Sequence, residues 1–203
     1  GRIGSGKTTL EKLILGLYQP SEGSIWVDGV DIRQIDPAEL RKNIGYVTDE
    51  PTLFFGTIKD NIVLGAPYVD DIAVLRAADI SCASEFINRH PQGFDMPIGE
   101  RGLGLSSGQK QTVAIARALL LDPPMLLLDD PSNSLDNRSE DNLKNKLMQH
   151  TQGKTMILIT HRASMLTLVD RLLVVDGGHI VADGPKEQVL EALAGGKLHV
   201  AKN

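Results

Sequence analysis

Apolar residues recur along this chain in two rhythms. Between Gly6 and Leu17 they fall at Leu10, Leu13, Ile14 and Leu17, the spacing of one helical face. The same helical texture dominates Ile58–Leu64, Asp70–Asp79, Ser81–Arg89 and Ser106–Leu121, and Pro185 to Ala194 reads as a closing helix. Asp36, Pro37 and Glu39 mark a further helix start: an N-cap, a first-turn proline and a carboxylate placed to close the capping box. Strands read differently. Ser24–Val27 is a short one ending in the turn Asp28-Gly29, and Ile44–Val47 is a second. Met125–Leu128 and Met156–Ile159 are continuous apolar runs, the mark of strands buried on both faces. Leu172–Val175 and His179–Ala182, joined by Asp176-Gly177-Gly178, predict a hairpin.

Strands alternating with helices imply an α/β fold built on a mainly parallel sheet. The helical middle block then reads as an inserted subdomain. In such sheets ligands gather at the carboxyl ends of the strands. That edge is where any chemistry is expected.

Composition narrows the classes. With 203 residues, 41% hydrophobic and 23% charged, the chain can bury the core of one globular domain. A formal net charge of −5, without a basic block, argues against nucleic acid as the main partner. Aromatic residues make up only 4%, too few for base-stacking platforms. The single cysteine, Cys82, excludes an internal disulfide framework and reads as a packed thiol within a helix. No apolar run is long enough to span a bilayer, because Asp122, Pro123 and Pro124 interrupt the greasy stretch from Ala118 to Leu128. No signal peptide is visible. The chain itself is therefore expected to be soluble, though able to dock on a membrane protein.

The candidate chemistry begins at the first residue. Gly1 to Thr9 read Gly-Arg-Ile-Gly-Ser-Gly-Lys-Thr-Thr, the phosphate-cradling pattern Gly-x-x-x-x-Gly-Lys-Thr. The glycines at 1, 4 and 6 let backbone N–H groups around Ser5 point at a polyphosphate, Lys7 can reach the terminal phosphates, and the Thr8 hydroxyl can bind Mg²⁺. The helix that follows turns its positive end toward the anion. Such a loop normally follows a buried strand, and none precedes Gly1, so a fragment cut just before its nucleotide site is expected.

Three more segments join it. Asp129 and Asp130 follow the apolar strand Met125–Leu128. Asp129 suits Mg²⁺, directly or through water, and Asp130 could orient or deprotonate an attacking water. The plainer alternative is that paired acids cap a turn. His161 follows Met156–Ile159 and Thr160, where an imidazole can donate to a γ-phosphate; His90, His150, His179 and His199 read as surface or turn residues. Leu105-Ser106-Ser107-Gly108-Gln109 precedes the long helix. It offers either a second anion site or a simple N-cap.

In this order the segments resemble the nucleotide-binding domain of ABC transporters, with Ser134-Leu135-Asp136 between Asp129 and His161 as a fifth element. The resemblance covers essentially the whole chain. Phe55-Gly56-Thr57-Ile58-Lys59-Asp60-Asn61-Ile62 and Gly99-Glu100-Arg101-Gly102 resemble the exporter branch, and Phe94–Ile98 is similar to ATPases of bacterial type I protein secretion. The resemblance implies a P-loop NTPase (RecA-like) core from 1–57 and 119–203, its first strands missing, with a helical subdomain over 58–118. It implies ATP and Mg²⁺ as ligands. ATP contacts fall to Gly1, Gly4, Ser5, Gly6, Lys7, Thr8, Thr9, Ser106, Ser107, Gly108, Gln109 and Asp136, metal contacts to Thr8, Asp49 and Asp129, and catalysis to Asp130 and His161. Two such domains would close head to tail on ATP, the phosphate loop of one facing Ser106 and Gly108 of the other. Transmembrane domains would convert that motion into export, from the cytoplasmic face of a bacterial inner membrane. A degenerate, non-hydrolysing partner in a heterodimer is the alternative.

Four departures bear on activity. Asp130 stands where the family usually has Glu, one methylene longer, which predicts slow hydrolysis. Asp49 replaces a Gln, and its charge either adds a ligand to Mg²⁺ or repels the γ-phosphate. Ser107 replaces the first signature glycine, and Asn133-Ser134 the usual Ser-Ala.

Overall fold

The computed structural model describes residues 4–66 and 68–195, so Gly1 and His199 lie outside the described residues. The chain packs as two units, one formed by residues 1–41 and 166–203, the other by residues 42–165.

The first unit opens with α1 (Lys7–Ile14). It stops earlier than the pattern predicts because Gly16 turns left-handed, at φ 64. Leu17 thereby leaves the helical face and is exposed, and the buried positions are Glu11 and Leu15. Strands β1 (Trp26–Val27) and β2 (Val30–Asp31) pair antiparallel. Their two-residue turn, Asp28-Gly29, has φ 49 and 79, the positive values that match a hairpin's twist. Helix α2 (Pro37–Lys42) is capped as predicted, the Asp36 carboxylate accepting from the N–H groups of Ala38 (2.8 Å) and Glu39 (3.2 Å).

The second unit holds the parallel sheet. Strand β3 (Ile44–Val47) lies beside β6 (Met125–Asp129), and β6 beside β7 (Thr155–Ile159), with Tyr46, Leu127 and Ile157 in one row. The central strand β6 buries Leu126, Leu127 and Leu128. Strand β7 departs from expectation. It is half-exposed rather than buried on both faces, because among the described residues it pairs on one side only. A short pair, β4 (Gly56–Thr57) and β5 (Pro97–Ile98), frames a helical stretch. That stretch contains α3 (Ile58–Ile62), α4 (Asp71–Ile80) and α5 (Ser84–Ile87), and α6 (Ser107–Leu119) follows β5. Cys82 is buried as expected, but it sits between α4 and α5 with φ 63, not inside a helix. Burial pushes its thiol pKa up. Helix α7 (Asn137–His150) joins β6 to β7. His150, expected at the surface, is half-buried against Asp122 at 3.0 Å.

Helix α6 organises this unit. It packs on α4, α3 and β3. Gly45 permits the approach to β3: a Cβ there would stand 2.5 Å from the Ala118 carbonyl oxygen and 2.7 Å from Leu126. A buried polar residue, Asn61, and the half-buried Arg117 tie α6 to the segment after β3. The Arg117 guanidinium donates to the Asn61 carbonyl (2.7 Å) and the Thr52 carbonyl (3.2 Å). The Asn61 amide in turn accepts from Phe54 N–H and donates to Phe54 C=O, both at 2.8 Å.

The chain closes, in the first unit, with the predicted hairpin β8 (Arg171–Asp176) and β9 (His179–Pro185) and with α8 (Lys186–Ala194). Among the described residues no helix is long and apolar enough to cross a membrane.

Candidate functional site

In the first unit, the loop leading into α1 has left-handed glycines at Gly4 (φ 78) and Gly6 (φ 103), flanking buried Ser5. Alternating backbone handedness turns successive N–H groups to one side, which makes an anion-binding concavity. Gly6 is the N-cap of α1, and among the described residues no side chain caps that end. The uncapped amides and the helix dipole suit an anionic ligand. The Lys7 ammonium lies over the loop, donating to the Ser5 hydroxyl at 3.3 Å, while Thr8 and Thr9 are exposed on the first turn. The β8–β9 turn supports the loop from one side, Gly178 N–H donating to the Ser5 carbonyl at 3.3 Å. These features fit a polyphosphate.

In the second unit, Asp129 ends β6 and Asp130 follows with φ 39. The Asp130 N–H donates to the Ile159 carbonyl at 2.8 Å, so the chain crosses toward the end of β7. The Asp130 carboxylate accepts from the His161 N–H at 3.0 Å and lies 3.6 Å from its Nε2. Asp130 and His161 are therefore brought together, with the imidazole open to solvent. Asp49 is exposed beyond β3 and accepts from Glu50 N–H at 2.9 Å. Just before it, the Thr48 carbonyl accepts from the amide of Gln111, a buried residue of α6, at 3.3 Å. Among the described residues no three His, Cys, Asp or Glu side chains converge on one point. A divalent ion held here would rely on few carboxylates, with hydroxyl, phosphate and water completing the shell, which is how Mg²⁺ is usually bound.

The signature segment lies at the start of α6. Ser106 and Gln109 form a complete capping box: the Ser106 hydroxyl accepts from Gln109 N–H (3.2 Å), and the Gln109 side chain accepts from Ser106 N–H (2.8 Å). Of the two sequence readings, the N-cap is present, and the hydroxyl proton is still available to a ligand. Ser106, Gly108 and Gln109 line a cavity of about 240 Å³ together with Ser134, Leu135 and Asp136. Ser107 is exposed beside it. Gly108 is sterically required, since a Cβ would meet the Ser134 carbonyl oxygen at 2.9 Å and Leu135 at 3.2 Å. Asp136 caps α7, accepting from Ser139 N–H at 2.9 Å. That backbone bond holds its carboxyl below the usual range.

Sequence reasoning missed one cluster. Arg162, directly after His161, pairs with the buried Glu140 of α7 at 2.6 Å. Its second guanidinium nitrogen donates to the carbonyls of Asn133 (3.3 Å) and Leu135 (3.2 Å). The only signals were an arginine next to a candidate histidine and a glutamate one turn after a helix cap.

The model of the ABC transporter family matches residues 1–133. The chain is 43% identical over 193 residues to the mouse (Mus musculus) protein ATP-binding cassette sub-family B member 10, mitochondrial, covering 94% of this chain and 27% of that one. It is 41% identical over 192 residues to the cyclolysin secretion/processing ATP-binding protein CyaB of Bordetella pertussis, covering 95% and 27%. The solved structure of a bacterial Atm1-family ABC exporter with ATP bound superposes with a TM-score of 0.90 at 39% identity, over 94% of this chain and 34% of that one. The chain thus spans about a quarter to a third of the length of these relatives.

Proposed function

The chain belongs to the ABC transporter family, and on that footing we propose that it is the nucleotide-binding ATPase part of an exporter. Its fold is the P-loop NTPase fold of that family, with a parallel sheet among helices. The observation that carries the reading is the glycine-flanked loop before the uncapped α1, with Lys7 above it. Main-chain N–H groups from Gly1 to Thr9 and the Lys7 ammonium would neutralise the ATP phosphates. Mg²⁺, when bound, supplies charge neutralisation and orientation for phosphoryl transfer to water. Thr8 and Asp129 would hold it, and Asp49 would add a second carboxylate.

Asp130 orients the attacking water and takes its proton, while His161 donates to the γ-phosphate. Support comes from their shared contact at 3.0 Å, which fixes the histidine backbone against the carboxylate. The helical subdomain over 58–118 carries Ser106, Ser107, Gly108 and Gln109, which together with Asp136 present a second phosphate-facing surface. In a head-to-tail pair that surface would meet the nucleotide of the other domain. Transmembrane domains would use the closing and opening, at the cytoplasmic face of a membrane. Similarity to the secretion/processing protein CyaB supports a protein or peptide as cargo.

One observation favours a second reading, a non-hydrolysing regulatory module. The short Asp130 side chain already spends one oxygen on the His161 N–H.

Replacing Lys7 with Ala and titrating with a fluorescent nucleotide analogue tests the core of this reading. Binding is expected to weaken by more than about tenfold, as removal of a charged phosphate contact does. Undiminished uptake refutes it.

A further inference from the structure

We propose that Arg162 is a positioning residue for hydrolysis, its guanidinium tying the turn before α7 to the segment that carries His161. The inference rests on the ATPase reading given above. Three groups converge on this side chain: the Glu140 carboxylate at 2.6 Å, the Asn133 carbonyl at 3.3 Å and the Leu135 carbonyl at 3.2 Å. Glu140 is nearly inaccessible, its side chain 6% exposed, and its other oxygen accepts from the Ser164 hydroxyl. A buried carboxylate whose other oxygen is anchored by Ser164 gives the guanidinium one orientation. The planar fork then delivers its remaining donors to two carbonyls of the 133–135 turn.

Both ends of this clamp touch the candidate machinery. One residue before Arg162, the His161 N–H donates to Asp130 at 3.0 Å. On the other side, the gripped turn ends in Asp136, which caps α7, and its Ser134 carbonyl is the surface against which Gly108 packs. Arg162 therefore sets the distance between the Asp130–His161 pair and the wall of the signature cavity. It touches no reacting atom in this role. It acts through the backbone of its neighbours.

A lysine at this position separates positioning from mere charge compensation. An ammonium can satisfy Glu140, but a single point donor cannot also hold two carbonyls in a plane. In the full-length chain, R162K is expected to keep its Tm within a few degrees of wild type and its KM for MgATP within about threefold. Its kcat should fall about tenfold or more, the scale of sub-ångström to ångström misplacement. R162A should lose kcat at least as far and lower Tm as well, because Glu140 is left buried without its partner; if R162A does not fold, R162K carries the test. A wild-type kcat in R162K overturns the proposal. So does a loss of kcat accompanied by an equal loss of thermal stability, which marks a purely structural bridge. Wild-type protein that binds nucleotide yet never turns it over overturns the ATPase reading first, and this inference with it.

Discussion

Lengthening the side chain at position 130 should speed hydrolysis. Asp130 sits at φ 39 beyond the end of β6, with its carboxylate drawn back to the His161 N–H at 3.0 Å. Asp130→Glu adds one methylene and advances the carboxylate by about 1 Å toward a water in front of it. Misplacement of that size costs on the order of 10²-fold in rate. The gain is offset by the hydrogen bond to His161, worth about 1 kcal/mol net, or roughly fivefold if all of it is felt in the transition state. The expected result is a rise in turnover of about 20-fold. Single-turnover hydrolysis of MgATP by excess protein measures it, with nucleotide affinity determined separately. Asp130→Asn serves as the opposite control and should lose about 10²-fold or more, as removal of a general base does. If Asp130→Glu binds ATP like wild type and turns over no faster, the shortened carboxylate is not what limits the reaction.

Three further outcomes follow from the packing. Gly108→Ala forces a methyl group to within 2.9 Å of the Ser134 carbonyl oxygen; overpacking of this kind costs about 2 kcal/mol, and a thermal melt should show Tm lower by roughly 4–8 °C. Asn61→Ala removes both Phe54 bonds and leaves Arg117 and the Phe54 backbone short of partners; a loss of about 3 kcal/mol is expected in urea unfolding, and a loss below about 1 kcal/mol would contradict the role assigned to it. Acidification should destabilise the fold in two stages. Burial and the Lys154 ammonium hold His150 below its ordinary 6.5. For Glu140, burial alone would raise the pKa, but hydrogen bonds led by that from Ser164 outweigh it and hold the carboxyl below 4.5. Both groups bind protons more readily when unfolded, so their contribution is complete above the unfolded values and is lost as pH falls through the folded ones. Tm measured from pH 7.5 to 4 should decline first below about 6.5 through His150 and again below about 4.5 through Glu140; a flat profile over that range refutes both assignments.

Much of the fold was legible wherever burial is apolar and local. Ile44–Val47 matches β3 residue for residue, and Met125–Leu128 lies within β6, because continuous aliphatic runs have few other uses. The Asp28-Gly29 hairpin and the Asp36 cap were readable because turn and cap chemistry is local. The failures share a different cause. The early end of α1 depends on Gly16 adopting a left-handed turn, which glycine permits but does not demand. The exposure of β7 depends on which strand ends the sheet, a property of topology rather than of Met156–Ile159. Lys7, Asp130 and His161 could be singled out from motif and position. Glu140, Asn61 and Arg117 could not. They are buried or half-buried polar residues with partners as far as 65 positions away, and no periodicity records such a distance.

Helix α6 behaves as a lever. Its 13 residues form a rod about 20 Å long. The capped end carries Ser106 and Gly108. Gln111 holds the Thr48 carbonyl next to Asp49, and Arg117 grips the Asn61 and Thr52 carbonyls. A tilt at the capped end would therefore pull on the backbone beside Asp49 and beside the exposed Phe55. Linkage of this kind is reciprocal, so a displacement of that strip would shift the capped end in return.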